Sequence, residues 1–161
     1  MSHTIQRKHQ QGVFLLEALI GIVIFSIGLL TMIALQAKAI SVQSDAQYRI
    51  EAANLVDRML GTIALNVDRS TAATLQSSLD AFRNNPDTAA SCSFNGGEST
   101  NADVLAWGAA LDATLPGTSS AMRQIQVTNT SAAFNQVVIT VCWKSPADPV
   151  PRQHTVVSYI N

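Results

Sequence analysis

The sequence contains few of the side chains that catalytic and metal sites require. Only 13% of its 161 residues are charged, it has two cysteines, and its three histidines, His3, His9 and His154, are scattered. It has no Gly-rich phosphate loop, no serine elbow and no cysteine or histidine pairs at ligand spacing. The acids of its second half are dispersed among polar neighbours. The sequence therefore predicts no enzyme, no metal site and no cofactor.

Basic residues are not in excess either. The chain has ten basic and eleven acidic side chains, and without Arg7 and Lys8 near its start eight basic residues remain against eleven acidic ones. A protein that binds nucleic acid electrostatically needs a basic surface, and a net charge of −3 opposes one. No nucleic-acid partner is inferred.

Charge is almost missing from residues 13–35, where Glu17 is the only ionisable side chain. As a helix this run would be about 35 Å long, which is enough to cross a hydrocarbon core of about 30 Å. We therefore expect a membrane-spanning helix. An ionised carboxylate inside such a helix costs roughly 2.5 to 3.5 kcal/mol, so Glu17 needs a specific partner.

Two processing sites compete around this run. Residues 1–12 are polar, carry Arg7 and Lys8 and contain no acid, which is typical of a segment that stays in the cytoplasm. The small residues around Lys38 offer a secretory cleavage site after Ala39, but the apolar run exceeds the roughly 7 to 15 residues of a secretory signal. A cut after Gly12 would instead leave the whole run on the mature protein as an anchor.

The order of these features resembles the signature of type IV prepilins and the related secretion pseudopilins. Gly12 matches the last residue of the leader, Val13 the first mature residue and Glu17 the fifth. The resemblance implies that a membrane-embedded prepilin peptidase cuts after Gly12 and methylates the new amine of Val13. It also implies that Glu17 serves subunit assembly by pairing with that amine on a neighbouring subunit. Val13 stands where the family commonly has phenylalanine.

The helix is expected to continue beyond the membrane. No proline precedes Pro86, and apolar residues recur at steps of three or four among charged ones as far as Val67. We predict a single helix over residues 13–67. Its first half is apolar on every side, and its second half is amphipathic. The predicted apolar face consists of Val42, Ala46, Ile50, Ala53, Val56, Leu60, Ile63 and Val67.

The rest of the chain is predicted to pack on that face. Residues 70–118 are rich in small polar residues and indicate irregular connections with short helices over residues 75–82 and 104–111. Residues 124–128, 136–144 and 154–160 are β-rich runs that indicate an antiparallel meander of three strands. The fold class is therefore α+β and pilin-like, with a long N-terminal helix packed on a small antiparallel sheet.

Residues of the C-terminal part make the resemblance more specific. Trp107 with Leu111, the Leu115-Pro116-Gly117 turn and the run from Ile139 to Trp143 are similar to minor pilins of the PilV type, the type IV pilus modification proteins. This resemblance implies prepilin peptidase, other minor pilins, the major pilin and inner-membrane lipid as partners. Trp107 and Trp143 themselves are interpreted as core aromatics, in preference to binding residues.

Cys92 and Cys142 are the only cysteines. If the domain is exported they lie in an oxidising periplasm, where a single pair is best interpreted as one disulfide. Closing a loop of about 50 residues stabilises a fold by roughly 4 kcal/mol in the chain-entropy model.

The predicted organisation is a cleaved leader over residues 1–12, a transmembrane half-helix over 13–35, an amphipathic periplasmic half-helix over 36–68 and a globular pilin domain over 69–161. The expected location is the inner membrane, with a periplasmic C-terminal domain, and then the pilus on the cell surface. Two alternatives stay open: a minor pseudopilin of a type II secretion system, and a soluble periplasmic binding domain released after Ala39.

Overall fold

A computed structural model describes residues 11–131, 134–146 and 148–161. Its longest element is helix α1, Gln11–Asn66, which confirms the single long N-terminal helix. The chain forms two compact units, with the boundary inside α1 between Ser44 and Asp45. The unit from Asp45 to Asn161, called here the globular unit, contains the second part of α1 and all other elements.

Two further helices lie in the globular unit, and a side chain caps each at its N-terminus. Helix α2, Ala72–Asp80, begins at Thr71, whose hydroxyl accepts a hydrogen bond from the Thr74 amide while the Thr74 hydroxyl accepts one from the Thr71 amide. Helix α3, Ala102–Thr114, begins at Asn101, whose side chain accepts from the Asp103 amide. These caps satisfy amides that a helix start leaves without partners. Helix α3 extends beyond the predicted piece over 104–111 at both ends, whereas α2 begins three residues before the predicted piece over 75–82 and ends two residues before it.

The C-terminal sheet has the predicted meander topology. Strands β3 (Arg123–Ser131), β4 (Phe134–Trp143) and β5 (Arg152–Ile160) pair antiparallel in the order β3-β4-β5. In β4, alternate residues face the helices and are fully buried, namely Val137, Ile139, Val141 and Trp143. The opposite side of the sheet, called here the back face, carries Gln124, Thr140, Cys142 and Gln153.

A second, two-stranded sheet is present that the sequence analysis did not predict. Strands β1 (Asp87–Ala90) and β2 (Ser93–Asn95) form an antiparallel hairpin within the stretch that was interpreted as irregular. Both strands are short, and β1 is exposed along its whole length, so they lack the alternation of apolar residues that identifies a strand.

The main core lies between α1, α3 and the three-stranded sheet. Its α1 residues recur at helical spacing, namely Ala52, Leu55, Val56, Met59 and Ile63, and Val67 follows just past the end of the helix. The predicted apolar face was wrong in its first part, because Val42 and Ile50 are 59% and 61% exposed. The first buried residue of α1 is Ala52, so the buried face begins later along the helix than the apolar pattern predicts. Trp107 and Trp143 are both buried, as predicted for core aromatics.

One turn of the globular unit requires glycine. Gly117 follows α3 and has a φ of +62°, a conformation that residues with a Cβ rarely adopt. A Cβ at this position would also lie 2.6 Å from the carbonyl oxygen of Lys144. The neighbouring Lys144 amide donates to the Pro116 carbonyl at 2.9 Å, which ties the turn to the end of β4.

Candidate functional site

The first part of α1 exposes apolar side chains on every side. Residues 12–43 are all exposed, and the large aliphatic and aromatic residues among them include Phe14 at 72% and Phe25 at 71%. A continuous apolar surface of this kind marks a site of interaction with protein or lipid. The helix is long and apolar enough to cross a membrane, with a mean hydropathy of 2.7 in its most apolar window.

The uncharged polar side chains within residues 13–35 bond to their own helix. Ser26 donates its hydroxyl to the Ile22 carbonyl at 2.7 Å, and Thr31 donates to the Gly28 carbonyl at 2.8 Å. Hydrocarbon offers no hydrogen-bond partners, so a polar group in a membrane helix must be satisfied internally. The two hydroxyls meet this condition.

The carboxylate of Glu17, in contrast, is not hydrogen-bonded within the described helix. The structure places Glu17 near the start of α1 with an exposed side chain, and it has no hydrogen bond or ion pair to any described residue. Gly12 and Val13 lie in the first turn of the same helix, also exposed. Val13 and Glu17 are four positions apart, so the helix brings them to one side. The three predicted processing and assembly residues are thus adjacent, and the carboxylate is left available to a group outside the described chain.

The disulfide between Cys92 and Cys142 is present, with the two Cα atoms 5.7 Å apart. Cys92 lies in the turn between β1 and β2, and Cys142 lies on the back face of β4. The bond therefore fixes the tip of the hairpin to the central strand of the main sheet.

A cluster of four charged side chains joins the start of the globular unit to the start of β5. Arg152 lies 3.0 Å from Asp45 and 2.8 Å from Asp148, and Asp45 also pairs with Arg49 at 3.1 Å. The hydrogen bond from Arg152 holds the pKa of Asp148 below its ordinary value, and the same bond raises the pKa of Arg152. This cluster was not predicted from the sequence, although two of its pairs have the i, i+4 spacing that suggests contact.

This cluster makes stability depend on pH in a predictable direction. A carboxyl group whose pKa is lower in the folded state stabilises the fold above its unfolded pKa, and this contribution is lost as the pH falls through the folded pKa. Asp148→Asn is therefore expected to lower the denaturant midpoint near neutral pH and to lower it by less in acid, at pH about 3. Asp80→Asn is the control, because its pair with Arg83 is exposed and 3.8 Å long. A midpoint difference for Asp148→Asn that is equal at both pH values would contradict this assignment.

A shallow open cavity lies between α1 and α3. It has a volume of about 210 Å³ and is lined by Leu55, Arg58, Met59, Thr62, Asp103, Ala106, Trp107 and Ala110. At its base the Trp107 indole donates to the Leu55 carbonyl at 3.0 Å, which holds α3 on α1. Arg58 and Asp103 are its only charged lining residues.

Over residues 11–131, 134–146 and 148–161, no group of three His, Cys, Asp or Glu side chains is placed to hold a metal ion. The described chain thus offers two features of functional interest: the exposed apolar start of α1 with Glu17, and the hairpin that the disulfide fixes to the sheet.

Comparison of the chain with protein-family models, with curated proteins and with solved structures finds no match.

Proposed function

We propose that this protein is a minor pilin of the PilV type that takes part in type IV pilus assembly, in an initiating or tip complex. Residues 13–35 would hold it in the inner membrane, and the globular unit would face outward once the subunit enters the pilus. Adhesion and twitching motility are the processes that it would serve. One observation carries the proposal: the apolar part of α1 over residues 12–37 has no buried residue, and Glu17 is its one charged side chain.

The chemistry of assembly follows from the position of that carboxylate. Cleavage after Gly12 would give Val13 a positively charged amine at nearly the same depth in the membrane as Glu17. A charge in a medium of low dielectric is costly alone and less so when paired. Pairing Glu17 with the amine of a neighbouring subunit would therefore both neutralise the carboxylate and set the axial register of the two helices.

The first test concerns the mature N-terminus. We expect mass spectrometry of the protein from membranes to find a chain that begins at Val13 and carries one methyl group on its nitrogen. Gly12→Leu is expected to leave the precursor uncut, because the resemblance implies a peptidase that needs a small residue before the scissile bond. Gly21→Leu is the matched control, since it makes the same change deeper in the helix and should be processed normally. A mature chain that starts at Ile40 would overturn the proposal.

Two other functions share parts of this structure. A minor pseudopilin of a type II secretion system would use the same helix, so crosslinking in membranes followed by identification of the partners must distinguish it from a pilus subunit. A periplasmic binding domain released after Ala39 is favoured by one observation: the buried core begins at Ala52, so this cut would leave the core intact. A soluble product that starts at Ile40 would support that third function.

A further inference from the structure

The β1–β2 hairpin stands apart from the main core. Its buried residues, Cys92 and Phe94, cluster only with Cys142 and the partly buried Met122. None of these four residues belongs to the main core between the helices and the sheet. The packing of α1, α3 and the sheet therefore does not depend on apolar side chains of the hairpin.

Two different kinds of bond hold the hairpin on the back face. At its base, the side-chain amide of Gln124 donates to the carbonyls of Asn85 and Asp87 at 3.0 and 3.2 Å. It also donates to the Thr88 hydroxyl at 3.1 Å. At its tip, the polar contacts of the Cys92 sulfur are 4.0 Å long, so the covalent bond to Cys142 is the main attachment. The base is hydrogen-bonded, whereas the tip depends on the disulfide.

The backbone at the tip is in a conformation that cysteine rarely adopts. Cys92 has a φ of +58°, where the Cβ crowds the backbone and glycine is the usual residue. Such a conformation persists when the surrounding structure imposes it. Here the cross-link to a fully buried residue of β4 is the constraint, so cutting it removes what holds the turn in this shape.

We propose that the β1–β2 hairpin is a redox-latched strap over the back face of the sheet. Reduction of the Cys92–Cys142 bond frees the tip, and the hydrogen bonds of the base are then exchanged for bonds to water at a small net cost, so that residues 87–95 are released as a unit while the main core stays folded. The released strap uncovers Cys142 and the side chain of Gln124, which are buried beneath it in the oxidised state. This inference does not depend on the proposed role in pilus assembly.

The reductant is a dithiol, and the step is a thiol–disulfide exchange. Its thiolate attacks the Cys92 sulfur, because Cys92 is 8% exposed whereas Cys142 is fully buried. A mixed disulfide forms at Cys92, and Cys142 leaves as a thiolate that takes up a proton. The second thiol of the reductant then attacks the reductant's other sulfur, which is bonded to Cys92 in the mixed disulfide, and releases Cys92. The dithiol ends as a disulfide, and its two protons are on the two cysteines.

The test uses the full chain in detergent micelles, with and without dithiothreitol, and amide hydrogen exchange as the measurement. We expect exchange over residues 87–95 to accelerate at least about tenfold on reduction, while residues 52–67 and 137–143 keep their rates. With glutathione, which has a single thiol, we expect the mixed disulfide to be found on Cys92. Unchanged exchange in the hairpin, or a loss of protection throughout the globular unit, would each overturn the proposal.

A double variant separates the effect of the disulfide from the effect of the backbone conformation at residue 92. Cys92→Gly/Cys142→Ala lacks the disulfide but has a residue that adopts a φ of +58° readily. Its hairpin amides are expected to exchange faster than those of the oxidised wild type and more slowly than those of the reduced one, and dithiothreitol should have no effect on it. If this variant exchanges at the oxidised wild-type rate, the disulfide is not the latch and the proposal fails.

Discussion

Glu17→Leu is expected to insert into the membrane at least as well as the wild type and to be nearly absent from sheared pili. Replacing the carboxylate by leucine removes a charge that costs roughly 2.5 to 3.5 kcal/mol in a membrane helix, so insertion gains. Assembly loses the partner of the Val13 amine, and the attraction that would set the subunit register disappears with it. Quantitative immunoblots of the membrane and pilus fractions measure the two effects separately.

Ser26→Leu is the matched control for this experiment. It also replaces a polar side chain of the same segment by leucine, but the Ser26 hydroxyl is already satisfied by the Ile22 carbonyl. This variant should reach the pilus fraction at the wild-type level. Processing after Gly12 and the thermal stability of the globular unit should be unchanged in both variants, because the buried core begins at Ala52. If Glu17→Leu enters pili normally, recruitment depends on the globular unit and not on the carboxylate.

Trp107→Ala should unfold much of the globular unit. Trp107 is 5% exposed, packs in the main core and donates its indole N–H to the Leu55 carbonyl at 3.0 Å. Truncating a buried tryptophan costs about 3–5 kcal/mol, a large share of the roughly 5–15 kcal/mol that stabilises a typical domain. We therefore expect a strongly lowered denaturant midpoint in micelles and little full-length protein in cells.

Two further variants, one at Trp107 and one elsewhere on α3, test whether the loss of stability is specific to the tryptophan side chain. Trp107→Phe keeps an aromatic ring and loses the hydrogen bond, so its cost should be nearer about 1 kcal/mol. Leu105→Ala removes a 54% exposed side chain from the same helix and should stay within about 0.5 kcal/mol of the wild type. A similar loss in Trp107→Ala and Leu105→Ala would mean that Trp107 does not anchor α3 in the core.

Periodic patterns in the sequence predict the long helix and the meander, because both elements repeat their apolar residues at the spacing of their own geometry. The alternation in β4 identifies the buried residues from Val137 to Trp143 correctly. The disulfide was predicted from the cysteine count together with the expected export of the domain. These features depend on local sequence or on composition, so no three-dimensional information was needed to find them.

The features that were missed depend on contacts between distant residues. The hairpin has little pattern of its own and is held by Gln124, which is 36 residues from Thr88, and by a disulfide that spans 50 residues. The start of the buried face on α1 was misplaced because Ile50 fits the helical repeat but has no covering element. The link between Asp45 and Arg152 likewise joins opposite ends of the globular unit in sequence.

That link also determines where mechanical load would enter the fold. Helix α1 is continuous from Gln11 to Asn66, so tension on its N-terminal part is transmitted along the backbone to Asp45. There the ion pair passes part of the tension to Arg152, the first residue of β5, while Arg69 bonds the Asn161 carbonyl just past the other end of that strand. The helix and the strand run in the same direction between these two points. A pull along the helix therefore acts on these two contacts, Asp45–Arg152 and Arg69–Asn161, in the direction of β5 and not across it.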